Sequence, residues 1–182
     1  MCARHEAGLG PSELARFEQV VLPHLDGAWT VARYLVRDAD DAQDVVQEAY
    51  LRALRHFHTY RGGDARAWLL AIVRNCARSW LKGRRSGGRT TEFDEELHSG
   101  EEAGGDSAAA LDRGEARETV RRALDELPPE FREVIVLREL QGLSYREIAA
   151  ATGSPVGTVM SRLARARRKL LEALGPEGTV GT

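Results

Sequence analysis

The residues of this 182-residue sequence best suited to specific chemistry are aromatic and basic side chains near its middle. Trp68 and Trp80 are interleaved with polar and basic residues, namely Arg74, Asn75, Arg78 and Lys82, and Tyr60 and Arg61 precede them in a glycine-rich loop. Bases stack on aromatic rings while Lys and Arg follow the phosphates of a single strand. The segment from Tyr60 to Lys82 is therefore a candidate surface for single-stranded DNA. Core packing is the alternative for both tryptophans.

A second candidate surface lies near the C-terminus. Thr158, Ser161, Arg162 and Arg165 recur at steps of three and four, which places them on one face of a helix, with Leu163 on the opposite side. Arg can form two hydrogen bonds to guanine, and Ser or Thr can reach a base edge or a phosphate. This face, called here the recognition face, suits direct reading of duplex DNA. A solvated basic helix end is the alternative.

A third pattern is acidic. Asp41, Asp44 and Glu48 are spaced by three and four residues, on the helix face opposite Val45 and Ala49. Acid–base catalysis or metal binding would need a His ligand or a nucleophile beside them, and the sequence supplies neither there. We interpret the acidic stripe as a docking face for a basic protein surface, with a merely solvated face as the alternative. No metal site or cofactor is expected.

Helices must position all three patterns, since apolar residues recur at three and four and no strand-length alternation occurs. In the N-terminal part we expect a helix from Glu13 capped by Ser12, with Leu14 and Phe17 on its apolar face. Further helices are expected after Pro23, from about Asp40, and after an N-cap at Asp64.

The C-terminal part is also predicted to be helical. A helix from about Leu111 to Leu127 stops at two prolines, and Pro129 can start the next one, which Gly142 ends. Ser144 to Glu147 form a capping box that opens a short helix to Thr152, and a last helix is expected from about Val156 to Leu174. Two helices joined by a glycine-containing turn, the second of them basic, indicate a helix-turn-helix.

Charge is segregated along the chain. The net charge of −2 argues at first against nucleic-acid binding, yet residues 92–106 hold seven acids and no Lys or Arg. Without them 26 basic residues face 21 acidic ones, a net charge of +5. The acidic segment is rich in Gly and Ser and is expected to be a flexible linker over 86–110, between domains at 13–85 and 111–174.

Other function classes are disfavoured. The longest apolar run, Ala67 to Val73, has seven residues against the roughly 20 that cross a bilayer, so we expect no membrane insertion and a cytoplasmic protein. The two cysteines, Cys2 and Cys76, do not indicate a disulfide framework; we expect Cys76 to be buried. An enzyme would need a catalytic constellation, which the sequence lacks.

These motifs together resemble the extracytoplasmic-function sigma factors of bacterial RNA polymerase, in the sigma-70 family. The likeness covers roughly residues 13–85 and 111–172. It rests on the following motifs: Asp44-Val45-Val46-Gln47-Glu48, Phe57, Trp68-Leu69, Arg74-Asn75, Leu127-Pro128, Gly142-Leu143-Ser144-Tyr145, Glu147-Ile148-Ala149, Pro155-Val156-Gly157-Thr158-Val159 and Ser161-Arg162-Leu163. Two linked motif sets are more specific than either alone.

The resemblance implies an all-α protein of two small domains, sigma domain 2-like and helix-turn-helix sigma domain 4-like. By resemblance, Asp41, Asp44, Gln47 and Glu48 dock on the β′ clamp helices of core RNA polymerase. The minus-ten promoter element is assigned to Tyr60, Arg61, Trp68, Arg74, Asn75, Arg78 and Lys82. The minus-thirty-five element is assigned to Arg138, Thr158, Ser161, Arg162 and Arg165.

Further partners also follow from the resemblance. They are the β flap of the polymerase, promoter DNA that is recognised and melted, and an anti-sigma factor that holds the protein inactive. Met160 departs from the family pattern, in which a basic residue is common at that position. The main competing hypothesis is a plain helix-turn-helix regulator that binds duplex DNA without polymerase. The acidic stripe and the helix that carries the aromatic and basic residues distinguish a sigma factor from such a regulator.

Overall fold

The computed structural model describes residues 10–86 and 107–175, and every regular element in these two ranges is helical. The eight α-helices are α1 Pro11–Val21, α2 Leu25–Val36, α3 Ala39–His56, α4 Ala65–Ser86, α5 Ser107–Glu126, α6 Pro129–Ile135, α7 Tyr145–Thr152 and α8 Val156–Leu174. Short 3-10 turns at Leu22–His24 and Phe57–Thr59 follow α1 and α3, and a π-helical segment, Val136–Leu140, extends α6. The all-α prediction is confirmed for the described residues.

Side-chain caps start the helices that carry two of the candidate sites. The amide of Asp41 donates to Asp38 Oδ1 at 2.9 Å at the start of α3, and the amide of Ala67 donates to Asp64 Oδ1 at 3.0 Å at the start of α4. The predicted cap at Asp64 is thereby confirmed. Helix α1 differs from expectation, because it begins at Pro11 rather than Glu13. Proline suits the first turn, where its missing N–H leaves no bond unmade.

The N-terminal group, α1 to α4, encloses an aromatic cluster. The Phe17 ring meets Tyr50 and Phe57 edge-on, with centroids 5.1 Å and 5.2 Å away. Such edge-to-face pairs add about 0.5–1.5 kcal/mol to the burial of the rings themselves. Leu14, expected on the apolar face of α1, is instead 40% exposed, because the helix turns it away from this cluster.

The C-terminal group, α5 to α8, contains the predicted capping box. The amide of Glu147 donates to Ser144 Oγ at 3.3 Å, and the amide of Ser144 donates to Glu147 Oε2 at 2.7 Å, so both predicted bonds are present. Gly142 and Gly153, at φ +65° and +64°, end the preceding segments in the left-handed region that favours glycine. The turn between α7 and α8 is therefore fixed by local sequence.

Arg132 joins α5 to α6. Its side chain is buried and donates three hydrogen bonds of 2.8 Å, to the carbonyl oxygens of Leu124, Asp125 and Leu127. These carbonyls belong to the last turn of α5 and to the residue just beyond it, where a helix leaves its acceptors unpaired. Desolvation, together with the nearby positive charge of Arg37, lowers the pKa of Arg132 to about 10, and the guanidinium stays charged at neutral pH.

The two helix groups pack against each other and share one hydrophobic core. Helix α4 contacts α7, and α2 contacts α5, α6 and the π-helical segment. Most of the predicted linker falls on residues 87–106, outside the described ranges, and α5 begins at Ser107. In the described part of the chain, no helix is both long and apolar enough to span a membrane.

Candidate nucleic-acid interface

The recognition face lies at the start of α8, next to the turn from α7. Ser161 and Arg165 are exposed, whereas Thr158 and Arg162 are half-buried. Arg162 Nη1 donates to Ser154 Oγ at 3.2 Å and the Ser161 hydroxyl donates to the Thr158 carbonyl at 3.0 Å. Leu163 and Ala166 anchor the opposite face of α8 in the core. The four predicted residues thus share one surface, and Arg165 is the most accessible cation among them.

Arg138 holds the helix-turn-helix together from the π-helical segment. Its Nη1 donates to the carbonyl of Leu143 at 2.8 Å, and its guanidinium lies 5.0 Å from the centroid of the Tyr145 ring. A cation over an aromatic face contributes about 0.5–1 kcal/mol at an exposed site. In this arrangement the Arg138 side chain fixes the turn before α7. Its predicted DNA contact stays a prediction.

Met160 and Glu139 complete the surroundings of the recognition face. Met160 is 51% exposed on the first turns of α8, so an apolar side chain lies where the resemblance to sigma factors implies that a basic one is common. Arg167 Nη2 lies 2.7 Å from Glu139 Oε1, which ties the middle of α8 to the π-helical segment. This hydrogen bond to Glu139 raises the pKa of Arg167, which therefore stays charged.

The aromatic residues of the second candidate surface are packed together. The Tyr60 and Trp68 rings are 5.3 Å apart, Tyr60 stacks on Phe57 at 5.8 Å, and the Tyr60 hydroxyl donates to the Gly63 carbonyl at 2.7 Å. Both Tyr60 and Trp68 are half-buried, so one side of each ring packs against the core. Trp80 is also half-buried and packs against the core, with a buried Nε1 that has no hydrogen-bond acceptor in the described residues.

The polar residues of this surface divide into two sets. Arg61, Asn75, Arg78 and Lys82 are exposed. Arg74 is 6% exposed: its Nε donates to Glu133 Oε1, its Nη2 donates to Glu133 Oε2 at 3.2 Å, and its Nη1 donates to Asn75 Oδ1 at 3.0 Å. The structure thus leaves four of the predicted polar residues accessible but covers Arg74 with a carboxylate from α6.

The acidic stripe on α3 is partly occupied within the chain. Asp41 is half-buried in an ion pair with Arg84, and Glu48 accepts a 2.6 Å bond from Arg52 Nε. That hydrogen bond to Glu48 is the main cause of the raised pKa of Arg52. Asp44 and Gln47 are exposed. The accessible carboxylate of the stripe is therefore Asp44, with the exposed Gln47 nearby, and the spacing pattern alone could not distinguish Asp44 from the other two acids.

Sequence reasoning missed two residues that touch this region, Glu133 and Gln141. Both are buried, at 5% exposure each, and both contact arginines of α4. The available signal was polar residues among the apolar positions of α6 and its extension, which require partners when buried.

Cys76 is buried as predicted, and burial raises the pKa of its thiol. Across residues 10–86 and 107–175 there is no cluster of three metal-ligating side chains.

The geometry defines a class first: an all-helical protein with a helix-turn-helix beside a basic, aromatic helix bundle. Two family models then match the chain, Sigma-70 region 2 over residues 20–87 and Sigma-70 region 4 over residues 117–170. The chain is 38% identical over 167 residues to the RNA polymerase sigma-H factor of Pseudomonas aeruginosa, covering 88% of this chain and 86% of that one. The chain belongs to the sigma-70 family, in its extracytoplasmic-function group.

Other relatives agree with this assignment. The ECF RNA polymerase sigma-E factor of Escherichia coli strain K12 is 38% identical over 155 residues, covering 80% of this chain and 79% of that one. Among solved structures, the sigma factor RpoE of Bartonella quintana, in complex with the anti-sigma factor NepR, matches with a TM-score of 0.70 and 30% identity, covering 87% of this chain and 96% of that one. CnrH in complex with the cytosolic domain of CnrY matches at 0.60 and 30% identity, covering 88% of each chain.

Proposed function

We propose that this sigma factor binds core RNA polymerase and directs promoter-specific initiation, with a separate surface for each task. The observation that carries the proposal is the recognition face at the start of α8, with Ser161 and Arg165 exposed, held by a helix-turn-helix in the same chain as helix α4 with its aromatic and basic residues. A sigma factor contributes binding and DNA opening, whereas phosphodiester chemistry belongs to the polymerase, so no catalytic residue or cofactor is assigned. The proposal implies a cytoplasmic site of action.

The polymerase contact is assigned to α3, through Asp41, Asp44, Gln47 and Glu48, with Asp44 and Gln47 as its accessible centre. Their partners are the β′ clamp helices, and the C-terminal helices are assigned to the β flap. Support comes from the exposure of Asp44 and Gln47, in contrast to Asp41 and Glu48, which pair with Arg84 and Arg52. The exposed Asp44 carboxylate attracts a basic partner and disfavours an acidic one, and the Gln47 amide can add a hydrogen bond.

Asp44→Arg tests this contact. The side chain is exposed, so the fold is expected to stay intact, while placing a positive charge against a basic partner should weaken binding to core polymerase by about tenfold or more. Glu18→Arg, an equal charge change at an exposed position of α1, is the matched control and should bind like the wild type. Co-elution of Asp44→Arg with core polymerase at wild-type affinity would overturn the assignment.

Promoter recognition is divided between the two basic surfaces. The Tyr60 to Lys82 segment is assigned to opening and reading the minus-ten element, since half-buried rings beside exposed cations suit splayed bases. Arg138, Thr158, Ser161, Arg162 and Arg165 are assigned to the minus-thirty-five element. Promoter-directed run-off transcription with purified core polymerase tests both: a plain helix-turn-helix regulator would bind the promoter and produce no transcript.

Control by an anti-sigma factor is part of the proposal. Of the structurally similar proteins, the sigma factor RpoE was solved bound to the anti-sigma factor NepR, and CnrH was solved bound to the cytosolic domain of CnrY. A protein of that kind would silence this chain by covering its polymerase and promoter surfaces. Adding such an anti-sigma factor to the run-off reaction should abolish the transcript, and the sigma factor should remain intact.

A further inference from the structure

The burial pattern of α8 shows which side of this helix is open to a partner. In its first three turns, Val159, Leu163 and Ala166 are buried. Thr158 and Arg162 are half-buried. The exposed positions at steps of three and four on the other side are Gly157, Met160, Ser161, Ala164 and Arg165. Met160 therefore lies on the open side of α8, together with two residues of the recognition face.

Met160 protrudes from small neighbours on this side of the helix. Its side chain is 51% exposed, and three of the exposed residues around it, Gly157, Ser161 and Ala164, have a small side chain or none. Apart from its chain neighbours, no side chain of the described residues comes within 4 Å of the place where a Cβ on Gly157 would lie. Small residues let a base edge approach the helix backbone, and the flexible thioether chain of Met160 can then reach that edge.

A methionine recognises a different feature of DNA from an arginine or a serine. Its side chain has no hydrogen-bond donor, and its sulfur is only a weak acceptor. Among the base edges of the major groove, thymine presents a C5 methyl group, which apolar side chains contact. Ser161 and Arg165 share the open side with Met160, so hydrogen-bonding groups accompany the apolar one. This combination suits the mixed edge of a base pair better than an apolar groove on a protein.

We infer that Met160 is a specificity-determining residue of α8, which recognises the C5 methyl group of a thymine in the minus-thirty-five element. The inference rests on the proposed function, because it takes α8 to lie in the major groove of that element. Met160 is the fifth residue of α8, and the N-terminal residues of a recognition helix are those that contact base edges. Hydrogen bonds from Arg165 and an apolar contact from Met160 then contribute separately to promoter choice.

Replacement of thymine by deoxyuridine tests this contact, because it removes the methyl group and keeps every hydrogen-bonding group of the base. The full-length protein, alone and in complex with core polymerase, first selects duplexes from a library with about ten randomised base pairs, one turn of B-form DNA. Each thymine of the most enriched duplex is then replaced by deoxyuridine in turn. Fluorescence anisotropy measures the affinity for each duplex.

We expect one of the deoxyuridine replacements to lower the affinity of the wild-type protein about fourfold, the equivalent of one buried methyl group. Met160→Ala should bind the thymine duplex and that deoxyuridine duplex equally well. Met160→Leu keeps an apolar side chain and should retain the preference for the methyl group. Met160→Arg should favour a guanine at this position instead, because arginine forms two hydrogen bonds to that base.

Leu171→Ala is the matched control. Leu171 is 66% exposed on the same helix, about 16 Å further along its axis, so its truncation removes a similar apolar surface far from the contact. This variant should lose the same affinity as the wild type at the same deoxyuridine. Far-UV circular dichroism checks the fold of each variant. The wild-type series needs no substitution in the protein, so it decides the result even if Met160→Ala fails to fold.

Three results would overturn the inference. The first is a wild-type protein that enriches no sequence, enriches duplexes without thymine, or binds every deoxyuridine duplex like the thymine duplex. The second is a Met160→Ala protein that keeps the full dependence on the methyl group, since another side chain would then contact it. The third is a Met160→Ala protein with unchanged methyl dependence and weaker binding to core polymerase, which would make Met160 a protein contact.

The sigma-factor function is tested separately, by run-off transcription with wild-type protein and core polymerase. Normal transcription, with no effect of any deoxyuridine on binding, would overturn the methyl contact and leave the proposed function standing. Methyl-dependent duplex binding by the protein alone, with no transcript, would overturn the proposed function and leave the methyl contact standing.

Discussion

Arg165 and Arg74 lie on basic faces of two different helices, and the sequence gives no reason to treat them differently. Arg165 is exposed on α8, whereas Arg74 on α4 is paired with Glu133 and buried. A buried, paired arginine must lose its partner before it can bind a new one, and an exposed arginine has only water to displace. The two residues therefore differ in how accessible their guanidinium groups are to a partner such as DNA.

We expect Arg165→Ala to weaken the free energy of binding to a minus-thirty-five duplex by about 1–3 kcal/mol. The variant should also lose the preference for a particular base at one position of the duplex, and at that position only. The reason is that a single arginine reading a guanine makes two hydrogen bonds that no other base accepts equally well. Binding is measured on a set of duplexes in which each base pair is replaced in turn.

Arg168→Ala, another exposed arginine three residues further along α8, is the control and should weaken binding to all duplexes evenly. If Arg165→Ala also weakens binding to every duplex by the same factor, Arg165 contacts a phosphate and not a base.

At the scale of elements, α4 depends on its first turn. Asp64 Oδ1 accepts the Ala67 amide, and this bond is the main cause of a lowered pKa for the Asp64 carboxyl. The folded state thus favours the charged carboxylate more than the unfolded chain does. The stability that this provides is fully present above the ordinary pKa of an aspartate and is lost as the pH falls through the lowered one.

Asp64→Ala should lower the free energy of unfolding by about 1 kcal/mol at pH 7, because the amide at the third helical position loses its acceptor. The difference from wild type should shrink as the pH falls below about 4, where the carboxylate is neutralised. Urea unfolding at several pH values measures both effects.

Asp64→Asn is the control for this cap. Asn is also a favourable N-cap but does not titrate, so it should keep most of the stability at pH 7 without adding a pH dependence at this position. A loss for Asp64→Ala that is the same at all pH values would show that the ionised cap contributes nothing.

At the scale of the whole molecule, the two helix groups share one core and a buried ion pair. Removing one partner of such a pair costs about 3–5 kcal/mol when the other must stay buried. Here the Arg74 guanidinium becomes hydrated again if the two helix groups separate. The cost of removing Glu133 therefore cannot exceed the free energy that holds the two groups together. Glu133 is therefore expected to couple the two groups rather than to stabilise either one alone.

Glu133→Ala is expected to convert a single cooperative thermal transition into two, one for each helix group. Scanning calorimetry measures this, since a calorimetric enthalpy larger than the van't Hoff enthalpy reports separate unfolding units. Glu130→Ala, an exposed change on the same helix, should stay within about 0.5 kcal/mol of wild type and keep one transition. One transition in both variants would contradict a role for Glu133 in coupling the groups.

Much of the local structure follows from the sequence because its signals act over a few residues. The capping box at Ser144 and Glu147, the cap at Asp64 and the break at Gly153 each depend on hydrogen bonds or backbone angles within one turn. The family motifs likewise place the recognition face on one helix, where spacing alone sets the direction of the side chains.

Tertiary structure alone decided which polar residues are free. Arg132 caps α5 from the next helix, Glu133 pairs with Arg74 across 59 positions, and Arg84 pairs with Asp41 across 43. Helical spacing predicts which residues share a face, but it carries no information about which distant face packs against it. The sequence therefore determined the surfaces proposed for polymerase and promoter, and the packing of α4 on the C-terminal helices determined that Arg74 of one surface is covered, because burying this arginine required a carboxylate from elsewhere in the chain.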